Sequence, residues 1–391
     1  MGGLSALNGP VDRHDRGDGT ASSPGNQPYP CRNRPLDDSV RQSSERERMS
    51  DLAIGVDLGG TSLRVGAYTG GLEPVESLSM VTRVEAGPEA VVTDIAEAIK
   101  RLLKTNLGSS KLAGVGIGSP GPINLIEGTL GRLPNFPGWD GFPLRGALEQ
   151  ALGLPVTLEC DANAAALAEW KAGAGSTVQV ESMCMITLGT GVGSGIILDG
   201  KIWHGMVGMG GEAGHVPILP DGPLCGCGSR GCLEMYASAT GLVRTATELA
   251  ASGQAEDVAR LIEEKKEAGG VTARDLALLA RSGSASAIHL FNRLGFHLGL
   301  GLAGLVSTLD LPLYVIGGGV ASAWDLFSDE MFKTLHDYSY VYRLGEPSQR
   351  LKREVHRTFV CPAQIGPGAG LLGAAMLPAF APALSVEVAN A

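Results

Sequence analysis

From Leu52 onward the chain alternates short apolar runs with glycine-rich turns and longer amphipathic stretches. The run Ala53-Ile54-Gly55-Val56 has the length of a buried strand. Asp57-Leu58-Gly59-Gly60-Thr61-Ser62 interrupts it, and Leu63-Arg64-Val65-Gly66-Ala67-Tyr68 resumes it, which predicts a hairpin. Over 88–105 the period changes. Val92, Ile95, Ala96, Ile99, Leu102 and Leu103 share one face and Lys100, Arg101 and Lys104 lie mostly on the other, as in an amphipathic helix with a solvated basic face. Strands are predicted at 112–117 and 156–160, the second running into an alanine-rich helix over 164–171. A second strand–turn–strand unit spans 183–198. The section 240–291 reads as helical with Thr272 as an N-cap, 292–306 as an apolar helix, 313–316 and 357–361 as strands, and 368–376 as a small-residue helix that frays from about Pro378.

Strands alternating with helices predict an α/β fold. Val56-Asp57-Leu58-Gly59-Gly60-Thr61 is echoed by Ile186-Thr187-Leu188-Gly189-Thr190-Gly191, with the second turn expected to run on through Gly195. Two such turns imply a duplicated fold with a nucleotide between its halves, because the backbone N–H groups of a tight glycine turn can converge on phosphate oxygens. A plain β-turn is the bland reading of either turn alone. No lysine follows the glycines and no helix opens there, which excludes the P-loop and the Rossmann fingerprint.

Residues 1–50 break the pattern. They are rich in Gly, Pro, Ser, Asp and Arg and have no helical apolar period, so they read as a disordered tail and not as a helix-turn-helix domain. Met49, just ahead of the first strand, is a candidate start. The whole chain has 391 residues with 44% hydrophobic content, enough for two domains. A formal charge of -10 argues against a nucleic-acid surface. The most apolar stretch, 298–316, is broken by Asp310 and Pro312 and reads as helix then strand, not as a membrane span. With no signal-peptide pattern either, the expected location is cytoplasmic.

Of seven cysteines, Cys225, Cys227 and Cys232 fall within eight residues, close after His215. Three thiols and an imidazole make a closed four-coordinate zinc shell. Glu212 and Glu234 flank these ligands and would be held still by the metal. Asp161 ends a strand and precedes a helix, so it is either an N-cap or a general base. Loops at strand ends, Gly118-Ser119-Pro120-Gly121-Pro122 and Asn135-Phe136-Pro137-Gly138-Trp139, are further ligand candidates, although Asn135 and Trp139 taken alone read as turn former and core anchor. Gly317-Gly318-Gly319 at the end of the strand 313–316 would let a flat ligand approach closely.

In this order the motifs resemble the ROK family of sugar kinases, within the actin/hexokinase/Hsp70 superfamily. The resemblance rests on Asp57-Leu58-Gly59-Gly60-Thr61-Ser62-Leu63-Arg64, on Leu188-Gly189-Thr190-Gly191-Val192-Gly193-Ser194-Gly195, and on Gly211-Glu212-Ala213-Gly214-His215 with Cys225-Gly226-Cys227, Cys232 and Glu234. It covers about 52–377 and is most like the glucokinase branch. It implies a two-domain actin-like (ribonuclease H-like) α/β fold with an interdomain cleft: a small domain at 51–173, completed by a helix at 366–380, and a large one at 174–365 carrying the zinc loop 211–236.

The resemblance also implies roles. Asp161 would be the catalytic base toward a hexose primary hydroxyl. Gly121, Asn135, Asp161, Glu212, His215 and Glu234 would bind the sugar. Asp57, Gly59, Gly60, Thr61, Gly189, Thr190, Gly191, Gly318 and Gly319 would bind ATP and its Mg²⁺. His215, Cys225, Cys227 and Cys232 would hold a structural Zn²⁺. The expected reaction is ATP-dependent conversion of glucose to glucose 6-phosphate, in carbohydrate metabolism and glycolysis, by a homodimer or homotetramer. Other acceptors (N-acetylmannosamine, fructose or allose), a weakly catalytic sugar sensor and a sugar-responsive repressor are the competing readings. One residue departs from the family pattern: Cys160 stands where an Asn usually precedes the catalytic Asp, and a thiol is a poor hydrogen-bonding substitute.

Overall fold

The computed structural model describes residues 52–69, 72–106, 111–133, 136–345 and 357–380. The expected tail, Met49 and Asn135 lie outside them. The first hairpin is β1 (Leu52–Leu58) and β2 (Ser62–Thr69), extended by β3 (Glu73–Val81). After α1 (Pro88–Asn106), β4 (Leu112–Ser119) lies parallel to β1. A small hairpin, β5 (Ile123–Asn124) and β6 (Thr129–Leu130), precedes α2 (Leu144–Leu152) and β7 (Val156–Cys160), which is parallel to β4. The first sheet therefore runs β3-β2-β1-β4-β7. β1 is mostly buried, as a central strand covered on both faces must be, whereas edge strand β3 is half-buried or exposed along its length.

The second half repeats this order. After α3 (Asp161–Ala172) and α4 (Ala174–Val178) come the hairpin β8 (Met183–Leu188) and β9 (Val192–Leu198), and the edge strand β10 (Lys201–Ile202). The helices α5 (Glu234–Ala237), α6 (Ala239–Ala251), α7 (Glu256–Lys265), α8 (Ala273–Arg281) and α9 (Ala285–Leu309) lead to β11 (Leu313–Gly317), parallel to β8. Then follow α10 (Trp324–Tyr338), α11 (Tyr340–Leu344), β12 (Phe359–Pro362) and α12 (Ala369–Phe380). The second sheet runs β10-β9-β8-β11-β12, strand for strand the order of the first.

Several boundaries differ from the sequence reading. The apolar helix does not begin at 292: α9 is one helix from Ala285, capped by the Ser284 hydroxyl. Thr272 caps α8 as expected, in a reciprocal capping box with Asp275. The second glycine turn is short, because β9 starts at Val192 and takes Gly193 and Gly195 into the strand. The last helix does not fray at Pro378. It continues to Phe380, and the proline sits against Gly114, where any side chain would collide with its ring. Trp139 is fully buried between Phe136 and Phe142, which fits its core-anchor reading.

Helix α12 is small and apolar all round and α3 carries a run of buried alanines, so both need cover on most sides. α12 lies on the first sheet, where a side chain at Gly55 or Gly116 would strike its backbone. α3 lies against β9 at Gly195. The two helices touch directly: a Cβ at Gly373 would fall 1.7 Å from the Ala164 carbonyl oxygen.

Glu169 of α3 is fully buried. Its Oε2 accepts hydrogen bonds from the N–H groups of Ala174 (3.1 Å) and Gln364 (3.1 Å), and its Oε1 accepts one from Ile365 (2.7 Å). These N–H groups belong to the two chain segments that connect the sheets. Glu169→Gln puts an amide N–H₂ against a backbone donor, which should cost about 1–3 kcal/mol. Urea unfolding at neutral pH measures this, and an unchanged midpoint would sink the pinning role.

Candidate active site at the strand ends

The parallel strands end together. Asp57 is in register with Gly118, Gly118 with Glu159, and Ser119 with Cys160. The carboxyl ends of such strands are where α/β sheets bind ligands. Asp161 follows β7 directly, and the missing side chain of Gly118 lets it approach: a Cβ there would lie 3.4 Å from the Asp161 Cα. Asp161 is not the N-cap. Cys160 holds that position, without a side-chain cap bond, and Asp161 opens the helix. Its Oδ1 accepts from the Ala162 N–H at 2.7 Å and faces the Cys160 thiol at 3.6 Å.

Burial pushes the Asp161 carboxyl up to about 6, and the nearby negative charges of Asp57 and, more weakly, Glu212 push the same way. The fold buries this residue, and two strand ends bring carboxylates from distant positions into one small space. Burial and the Asp161 charge also push the Cys160 thiol well up, so it stays neutral.

Gly121, the residue of a cis peptide bond to Pro122, lies beside this group. A Cβ there would be 3.7 Å from the Cys160 sulfur and 3.8 Å from Glu212 Oε1. The structure thus brings Gly121, Cys160, Asp161 and Glu212 together. Asp57 is close enough to act on Asp161 but is itself engaged, since Arg64 pairs with its Oδ2 and also donates to the Pro367 carbonyl at 2.6 Å. The sequence reading gave Arg64 no role. The hairpin register, which places it opposite Asp57, was the available signal.

The two glycine turns have matching construction. Gly59 N–H donates to Ser62 O at 3.0 Å, and Gly189 N–H to Gly191 O at 2.9 Å. Gly60, Thr61 and Thr190 are exposed at the tips. The second turn is tied to α6: Ala239 N–H donates to Gly189 O at 2.9 Å, and the Thr240 hydroxyl to Thr190 O at 2.8 Å. Gly318 has φ +85°, and a side chain there would strike the Leu188 backbone, so its glycine is required by packing onto β8. Gly319 faces open space.

His215, Cys225, Cys227 and Cys232 do converge. One ligand atom from each lies within 4.8 Å of the others. His215 Nδ1 is 3.5 Å from Cys225 Sγ, and Cys227 Sγ is 3.7 Å from Cys232 Sγ. A tetrahedral zinc with bonds of ~2.3 Å to sulfur has S···S edges of about 3.8 Å, close to these two separations, so the donor set suits such an ion. The loop is shaped by backbone: Cys225 N–H donates to Ser229 O at 2.8 Å, Gly228 N–H to Cys225 O at 2.9 Å, and Pro217 bridges Cys232. Glu234 joins the cluster to the second hairpin, its Oε2 accepting from Val192 N–H at 2.9 Å and its Oε1 lying 3.7 Å from the Cys225 sulfur.

A profile described as ROK family matches residues 53–379. The glucokinase of Halalkalibacterium halodurans is 36% identical over 326 residues, covering 83% of this chain and 94% of that protein. The glucokinase of Streptomyces coelicolor is 37% identical over 328 residues, covering 83% and 97%. Among solved structures, a ROK family glucokinase from Streptomyces griseus in complex with glucose and AMPPNP has 35% identity and a TM-score of 0.69, covering 83% of this chain and 98% of that one.

The acidity of Asp161 has a consequence for stability. An unfolded aspartate gives up its proton near 3.8, whereas the folded one keeps it to about 6. Below 3.8 both states are neutral and nothing is lost. Between about 3.8 and 6 stability falls, because the unfolded state ionises first, and above 6 the full cost of about 1–3 kcal/mol is in place. Asp161→Asn should therefore be more stable than the parent at pH 8, with the gap closing toward pH 4. Unfolding curves at both pH values test the sign.

Proposed function

The chain belongs to the ROK family, and we propose that it is an ATP-dependent sugar kinase that phosphorylates glucose at its primary hydroxyl. The observation that carries this reading is Asp161 at the strand end with its pKa near 6, set among Gly121, Cys160 and Glu212. Its Oδ1 is occupied by the Ala162 N–H and the Cys160 thiol, which leaves Oδ2 for the substrate hydroxyl. The sugar oxygen attacks the γ-phosphorus, the bond to the bridging oxygen of ADP breaks, and the hydroxyl proton passes to Asp161. A carboxylate with a pKa near 6 is largely ionised at neutral pH and is a better proton acceptor than an ordinary aspartate.

Positioning and charge neutralisation supply the rest. The turns at Gly59-Gly60-Thr61 and Gly189-Thr190-Gly191 would hold the phosphates, and Gly318 and Gly319 the adenosine. Asp57 and Asp161 repel each other where they stand, which a divalent cation such as the Mg²⁺ of a nucleotide would relieve. Arg64 on one oxygen of Asp57 leaves the other toward that ion. Glu212, Glu234 and the second nitrogen of His215 would accept or donate to ring hydroxyls. The four-ligand cluster would hold zinc as a brace, away from the reacting atoms. The matching sheet orders support reading the chain as two lobes, 51–173 completed by 366–380, and 174–365, with the sugar and ATP between them. Cys160 leaves the preferred hexose open to shift, because losing one neutral hydrogen bond to sugar costs about 0.5–1.5 kcal/mol.

A coupled ADP-release assay over a hexose panel tests the reaction. Glucose should be the best acceptor, with an acid limb near pH 6 in kcat/KM as Asp161 takes up a proton, and Asp161→Asn should lower kcat at least a thousand-fold, about 4 kcal/mol. No turnover with any hexose would falsify the kinase reading. Metal analysis should find about one zinc per chain, and Cys232→Ser should lose both metal and thermal stability.

A further inference from the structure

A second buried carboxylate lies two residues before the catalytic one, with no role in the scheme above. Glu159 is 5% exposed. Its Oε1 accepts hydrogen bonds from the Cys160 N–H at 2.8 Å and from Asn163 Nδ2 at 3.0 Å. The first turn of α3 has no side-chain cap from Cys160, so this one oxygen holds the backbone just before Asp161 and the Asn163 side chain just after it. Its Oε2 bonds His204 Nε2 at 2.6 Å. Glu159 holds the imidazole pKa above its ordinary value, which favours the imidazolium.

His204 comes from the other half of the chain, on the link between β10 and Glu212. Gly210 N–H donates to the His204 carbonyl at 2.9 Å and closes 204–210 into a loop with its ends together. The tip of that loop reaches back to the first half, where a Cβ at Gly208 would lie 3.5 Å from Ile123 O and from the Leu125 side chain. Beyond the loop the chain passes through Gly211, whose carbonyl accepts from the Ser194 hydroxyl, directly into Glu212.

We propose that His204 is a positioning residue for the sugar: by its bond to Glu159 it fixes the loop that delivers Glu212 against the strand end that carries Asp161. The proposal rests on the hexose-kinase reading and extends it to a residue that touches neither substrate. Removing the imidazole leaves Glu159 Oε2 buried without its hydrogen-bond partner, and a buried carboxylate in that state reorients. That response frees the Cys160 backbone beside Asp161 and the loop before Glu212 together. A misplacement of about 1 Å in such a pair can cost two orders of magnitude in rate.

Steady-state kinetics of the full chain decide it, with the best hexose of the panel and ATP varied separately. His204→Gln should raise the hexose KM about ten-fold or more and lower kcat, while the ATP KM stays within about two-fold. His204→Arg keeps a cation for Glu159 and should recover most of the loss. Glu159→Gln, which keeps an acceptor for the Cys160 N–H but loses the charge, should reproduce the His204→Gln pattern. A hexose KM unchanged in His204→Gln, equal rises in hexose and ATP KM, or an Arg variant no better than the Gln variant overturns the positioning role. Should His204→Gln fail to fold, the Glu159→Gln and His204→Arg kinetics decide by the same criteria. A parent chain with no hexose turnover overturns the kinase reading and this inference together, whereas normal parent turnover with an unaltered variant overturns this inference alone.

Discussion

The contact between α3 and α12 is what the rest of the structure depends on. Their backbones meet at Gly373 and Ala164, with no side chain between them. Each helix also lies on a sheet, α12 across β1 and β4 and α3 across β9, so the pair transmits position from one sheet to the other. Small residues make this possible and also make it fragile, since any added methyl would have to displace backbone. Glu169 reinforces the arrangement by gathering N–H groups from both connecting segments onto one buried carboxylate. That carboxylate is satisfied by three donors and needs no cation, which is how a buried charge is tolerated here.

Because α3 is held so firmly, its first turn becomes a fixed point for chemistry. Asp161 opens the helix at the end of β7, one strand beyond β4 and two beyond the strand that carries Asp57. Burial and close carboxylates at aligned strand ends are electrostatically costly, and the cost is stored as a raised pKa. In the proposed kinase, a residue that receives a proton and a cation that arrives with the nucleotide would use that cost. The neutral Cys160 thiol beside it adds no charge and would offer little to a sugar hydroxyl.

Much of this was legible along the chain. The hairpins and their glycine turns, the amphipathic α1, the β7-to-α3 junction, and the ligand set of His215, Cys225, Cys227 and Cys232 all depend on short spacings that a linear pattern records. Boundaries failed where packing overrode local signals. Pro378 reads as a stop, yet it stays helical because Gly114 leaves room for its ring. Gly193 reads as turn, yet it lies in β9, pressed against the Ala162 side chain. The Asp57–Arg64 pair was within reach, because a tight hairpin fixes which residues face each other across it.

By itself the sequence determined the α/β alternation, the repeated turn and the candidate metal-ligand cluster, since each is set by residue type at short spacings, whereas Asp161 read locally as a cap or a base and was singled out only by the family resemblance. Only the tertiary structure decided how those residues behave. Burial in the completed fold raises the Asp161 pKa most, and Asp57 and Glu212, which approach it through folding alone, add to it. The bond from Glu159 to His204 joins residues 45 apart, and those from Glu169 to Gln364 and Ile365 join residues 195 and 196 apart. No local pattern marks such partners, because a buried carboxylate takes whichever donors the completed fold brings to it.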